Sequence, residues 1–146
     1  MKRVYLAGPF FDDEQIDRIE RLEEALTNNQ TVSEFFSPRT EVHDEFEFGS
    51  PEWAEAIYKG DKDHLDPADV VVAVIDYDKE HVDPGTAWEI GYSEATQKPV
   101  ILVKEKEGAI NLMISVPAHA VVTDVADIAT YDFDELPASK WTGKAF

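Results

Sequence analysis

Asp69-Val70-Val71-Val72-Ala73-Val74-Ile75-Asp76 decides the fold. Its centre is apolar without alternation. A strand with one wet face alternates apolar and polar residues, whereas an unbroken apolar run fits a parallel strand covered on both faces. Upstream, Ser50 caps a helix with Pro51 at its first position, and that helix runs to about Leu65, before Pro67. Downstream, Asp83-Pro84-Gly85-Thr86-Ala87-Trp88-Glu89-Ile90-Gly91-Tyr92-Ser93 opens another helix in the same way, ending near Gln97-Lys98. Pro99 to Val103 is the next strand, and a fifth lies near Ala120 to Thr123, followed by an irregular acidic tail. Toward the N-terminus, Val4-Tyr5-Leu6-Ala7 is a strand stopped by Gly8-Pro9. Asp12 then caps a helix, Gln15 completes a capping box, and Ile16, Ile19, Leu22 and Leu26 form its apolar face. Thr31 to Phe36 reads as the second strand, and Ser37 to Gly49 as a polar loop over the site or at a subunit contact.

Strands alternating with helices predict an α/β domain spanning residues 1–146, a mostly parallel five-stranded sheet between helices. In such sheets ligands sit outside the carboxyl ends of the strands. The candidate site therefore comprises Ala7 to Phe11 and Asp76 to Glu89.

The net charge of −18 disfavours nucleic acid and anionic membrane as partners and leaves neutral or cationic small molecules. Cysteine is absent, which excludes disulfides, thiolate metal sites and a cysteine nucleophile. No signal-like start and no long apolar run are present, so a cytoplasmic location is expected. Neither a phosphate loop nor a nucleophile elbow occurs, and His64 beside Asp61 and Asp63 matches no strong metal spacing. No metal or organic cofactor is expected.

What remains is a cleft with carboxylates and the aromatic pair Phe10 and Phe11. Asp83 serves as a helix cap, a contact to ligand, or both. Glu89 lies about one turn further in, where the helix dipole favours its ionised form, and Gly91 leaves room for close packing or a ligand. Trp53, Ile57 and Asp61 share one helical stripe, so Asp61 lies at the cleft edge, with a partner, or in water. Two carboxylates with different roles suit cleavage of a glycosidic bond, and an aromatic wall can stack on a nucleobase.

Four stretches, Tyr5 to Phe11, the helix of Asp61, Asp83 to Tyr92, and Asn111-Leu112-Met113, occur in the order in which they occur in the nucleoside 2-deoxyribosyltransferases. The chain resembles that family over nearly its whole length. The resemblance implies a doubly wound, flavodoxin- or Rossmann-like fold and exchange of 2-deoxyribose between nucleobases through a covalent ester. By the same resemblance Glu89 is the nucleophile, Tyr5 orients it, and Asp61 and Asp83 face the base, one of them exchanging a proton with it. Gly8, Phe10 and Phe11 are implied to line the substrate site. Asn111 is implied to reach the sugar 5-hydroxyl from a neighbouring subunit of a homo-oligomer, with Met113 beside it. Phe146 stands where better-known members end in tyrosine, and the base-recognition loop, residues 39–49, aligns too poorly to assign contacts. The implied partners are deoxynucleosides and free bases. The alternatives are a hydrolase of deoxynucleoside 5-monophosphates and a non-catalytic nucleotide-binding module.

Overall fold

The computed structural model describes residues 1–146. Five strands, β1 (Lys2–Ala7), β2 (Val32–Phe36), β3 (Val70–Val74), β4 (Val100–Val103) and β5 (Ala120–Val122), form one sheet in the order β2-β1-β3-β4-β5. Every pairing is parallel. Helices α1 (Asp13–Asn28), α2 (Pro51–Leu65), α3 (Pro84–Ala95) and the single turn α4 (Leu112–Ser115) join them. All of β3 is buried, as its unbroken apolar run requires.

Alternation along the strands assigns the two faces. Val4, Leu6, Val70, Val72 and Val74 pack with Ile19, Leu22 and Leu26 of α1. Tyr5, Ala7, Val71 and Ala73 point the other way, toward Leu65 of α2 and Ile90 of α3. This places Tyr5 of β1 beneath the two helices that carry Asp61 and Glu89. Strand order reverses between β1 and β3, where doubly wound sheets open a crevice.

Two local features differ from the sequence reading, and Gly8 adds a third detail to it. The side chain of Asp12 accepts from Gln15 N–H at 2.8 Å, but Gln15 Oε1 accepts from Phe11 N–H at 2.7 Å instead of closing a box on Asp12. Gly8 is needed for packing, because a Cβ there would stand 3.0 Å from both Ile19 Cδ1 and Val74 Cβ. The acidic tail is not a loose appendage. A 3₁₀ turn at Val125–Ala129 lies against α1, and Val125, Ile128 and Phe133 join the core. Its apolar residues are too widely spaced to show a period, so only tertiary packing reveals them.

Carboxylates also hold the loops at the carboxyl edge. Asp76, at the end of β3, accepts from Glu105 N–H at 2.7 Å and Lys106 N–H at 3.2 Å. Buried Arg18 reaches Glu105 at 3.2 Å. Glu80 accepts from Ala109 N–H. The loop ahead of α3 is thereby fastened to the loop ahead of α4.

Candidate active site

Asp83 ends the loop after β3, and its side-chain oxygen accepts from both Thr86 N–H and Thr86 Oγ–H at 2.9 Å. The cap aligns α3 so that Ile90 and Thr86 turn inward, and Glu89 stands beside them in the crevice. On α2, Ser50 caps through Trp53 N–H at 3.2 Å, and the helix brings Tyr58, Asp61 and Lys62 to the same crevice. A cavity of about 290 Å³ results, lined by Tyr58, Asp61, Lys62, Leu65, Gly85, Trp88 and Glu89.

Burial pushes the Glu89 carboxyl up to about 7; the Tyr5 hydroxyl draws it back, while Asp61 and Asp83 push it further up. The helix dipole was expected to favour the anion. That field acts within the first helical turn, and Glu89 lies beyond it, so loss of solvation dominates. Asp61 rises to about 6, chiefly by burial, then by the charge of Glu41, with His64 and His43 opposing. Tyr5 is fully buried, and burial followed by the charges of Glu89 and Asp61 raises its pKa strongly. Its hydroxyl faces Glu89 but closes no hydrogen bond of ordinary geometry, leaving the donor in reserve. The pocket thus holds two carboxyls that change charge near neutrality beside one phenol that does not.

The chain from residue 4 to residue 133 matches the family described as nucleoside 2-deoxyribosyltransferase. It belongs to that family. A nucleoside deoxyribosyltransferase of Limosilactobacillus fermentum is 34% identical over 126 residues, covering 77% of this chain and 74% of the relative. The solved 2-deoxyribosyltransferase of Bacillus psychrosaccharolyticus is 39% identical, with a TM-score of 0.85, covering 95% of this chain and 98% of that one. A CMP N-glycosidase of Clostridium botulinum is more distant, 25% identical with a TM-score of 0.57 over 88% of this chain and 96% of that one. This chain is accordingly an enzyme of nucleoside deoxyribosyl transfer.

Of the residues singled out in this deoxyribosyltransferase, the fold brings Tyr5, Asp61, Asp83 and Glu89 together. Others stand outside the cavity. Phe10 and Phe11 stack at the end of β1, with Phe11 edge-on to Tyr77. Asn111 caps α4 through Met113 N–H at 2.9 Å, and Met113 is 72% exposed. Phe146 is zipped to the same turn, accepting from Leu112 N–H at 2.8 Å, and its ring meets the edge of His81. Gly91 packs against nothing within 4 Å of a Cβ position. His64 stacks on Phe36 and its Nδ1 lies 2.7 Å from Gly60 O, and no cluster of potential metal ligands occurs.

Sequence reading missed the aromatic wall. Trp88 stacks on Tyr92 with centroids 5.1 Å apart and takes Tyr58 edge-on. Lys62, the cation among the lining residues, bonds Asp66 at 3.0 Å and lies 4.9 Å from the Tyr92 ring centre. The signal was the i, i+4 spacing of Trp88 and Tyr92 and the position of Tyr58 one turn before Asp61.

Proposed function

We propose that this domain, residues 1–146, exchanges the base of a 2-deoxynucleoside by way of a glycosyl ester on Glu89. The observation that carries the reading is a buried carboxyl titrating near 7 that shares one cavity with Asp61 and faces the spare donor of Tyr5. A desolvated carboxylate is more basic than a solvated one, and positioning supplies the rest of its reactivity. Glu89 attacks the anomeric carbon as the bond to the base breaks, and the leaving base takes a proton from an acid facing it, Asp61 or Asp83. A second base then loses its proton to the same acid, displaces the ester, and restores the original configuration. Tyr5 O–H orients the nucleophile. Gly8, Phe10 and Phe11 border the substrate. Asn111, with Met113, serves the sugar of a neighbouring site in a homo-oligomer. Exposed Leu112, Met113, Val116 and Phe146 make one apolar edge on which such a neighbour can sit.

Incubation of a deoxynucleoside with a panel of free bases, followed by product analysis, tests the reaction. Base exchange is expected, with loss of at least about a thousandfold in Glu89→Ala. An active Glu89→Ala removes the assignment. Hydrolysis as fast without an acceptor base as with one shifts the reading to an N-glycoside hydrolase. The lining disfavours a phosphorylated substrate, since its cation, Lys62, already pairs with Asp66.

A further inference from the structure

The segment Glu41 to Glu45 folds back over α2 and lays the imidazole of His43 against Gly60. A Cβ on Gly60 would stand 3.6 Å from His43 Nε2, an ordinary contact, so the ring lies directly against this turn of the helix. The ring is largely covered, 18% exposed, and Nε2 is buried without a hydrogen-bond partner. Glu41 lies 3.7 Å from Nε2 and Glu45 3.4 Å from Nδ1. The residue after Gly60 is Asp61, which feels the charges of Glu41, His64 and His43. An imidazole with a buried, unused nitrogen, seated behind a cleft carboxyl, is an expensive arrangement for a surface loop.

We propose that His43 is a positioning residue for the proton carried by Asp61: held against Gly60 between Glu41 and Glu45, its imidazolium offsets the Glu41 carboxylate, so that Asp61 both gives and takes the proton. The inference rests on the base-exchange reading, and selects Asp61 over Asp83 because an Asp83 oxygen is already committed to the cap of α3. As the bond from sugar to base breaks, its electron pair goes to the base nitrogen, which takes the Asp61 proton. The incoming base returns one proton to Asp61 as its nitrogen displaces the ester. A carrier must release as readily as it accepts, which is best met near the working pH. Burial and Glu41 alone would hold the proton too firmly. The groups facing this exchange are Glu41 and Glu45 from the loop, Asp61 and His64 from α2, Tyr5 from β1 and Glu89 from α3.

His43→Phe keeps a ring on Gly60 and removes the charge; His43→Lys keeps a charge. Titration of Asp61 by carboxyl carbon NMR should show its midpoint raised by about one unit in His43→Phe and restored in His43→Lys. Base exchange by His43→Phe should fall about fivefold near pH 6 and match the unaltered enzyme well above neutrality. The reason is that an Asp61 carboxyl raised by about one unit is less often ionised, and so less often free to take a proton, only near and below its midpoint. An Asp61 midpoint unchanged in His43→Phe overturns the inference, as does a loss of rate equal at every pH. The NMR titration does not depend on turnover. A Glu89→Ala enzyme that still exchanges bases would sink the mechanism and leave the coupling measured; a silent His43 would do the reverse.

Discussion

A carboxyl that titrates near 7 inside a fold is poised for chemistry at some expense to stability. Glu89 rises from 4.5 to about 7, chiefly by burial. An acid with a raised folded-state pKa contributes stability below its unfolded value, and that contribution is lost as pH climbs through the folded value. Asp61, raised from 3.8 to about 6, acts in the same direction. The protein should therefore lose stability between about pH 4 and pH 7 on account of these two groups. Glu89→Gln removes the ionisation and keeps the shape. It should abolish base exchange yet unfold on the order of 2 kcal/mol less easily at pH 8, with almost no difference at pH 4. Urea denaturation at both pH values reads this, and a variant destabilised at pH 8 would show that the Glu89 anion is well solvated or well paired. The sequence displayed Glu89 as an acid out of place between Trp88 and Ile90. It could not display the sign of the shift, which depends on Tyr5 and Asp61 lying on different elements.

At the scale of elements, the site is built by two capped helices standing over one strand. Asp83 shows how one residue can serve both structure and ligand: it accepts twice from Thr86 while being counted among the charges that raise Glu89. The two duties separate by substitution. Asp83→Asn retains a capping oxygen and should stay within about 0.5 kcal/mol of the unaltered protein, whereas Asp83→Ala should lose about 1–2 kcal/mol. If Asp83 also faces the base, both variants should slow exchange, Asn no less than about tenfold. An Asp83→Asn enzyme with undiminished exchange would reduce this residue to a cap. Strands and the main helices were legible because each rests on local rules: the apolar run of β3, and the Asp-Pro and Ser-Pro starts of α3 and α2. The tail was not, since Val125, Ile128 and Phe133 are buried by joining a core whose strand and α1 members lie far away in sequence. The loop that seats His43 on Gly60 was equally hidden, because no periodicity connects residues 41–45 to a helix starting at Pro51.

Over the whole molecule, 31 acidic side chains face 13 basic ones. The bases are largely engaged: Arg18, Arg21 and Lys106 serve Glu14, Asp17 and Glu105, while Arg39 serves Glu20 and Glu23. The surplus of acids is thus uncompensated, and mutual repulsion works against the compact state. Exposed pairs such as Lys59–Asp63 contribute little, so their screening loses little. The buried Arg18 contacts to Glu105 and Asp76 lie where ions hardly enter. Screening should then relieve more repulsion than attraction. Raising sodium chloride from about 0.05 M to about 0.5 M should increase the unfolding temperature by roughly 3–6 °C and then level off, as the screening length falls below the spacing between charges. A steady rise with no plateau would point to a general salting-out effect instead, and a fall would mean that ion pairs outweigh the surplus charge. The same field acts on substrates. Neutral deoxynucleosides should show a KM unchanged within about twofold across that range, whereas a 5-monophosphate, repelled at low salt, should bind better as salt rises. A monophosphate KM that instead worsens as salt rises would reveal a cationic phosphate site and favour the nucleotide hydrolase.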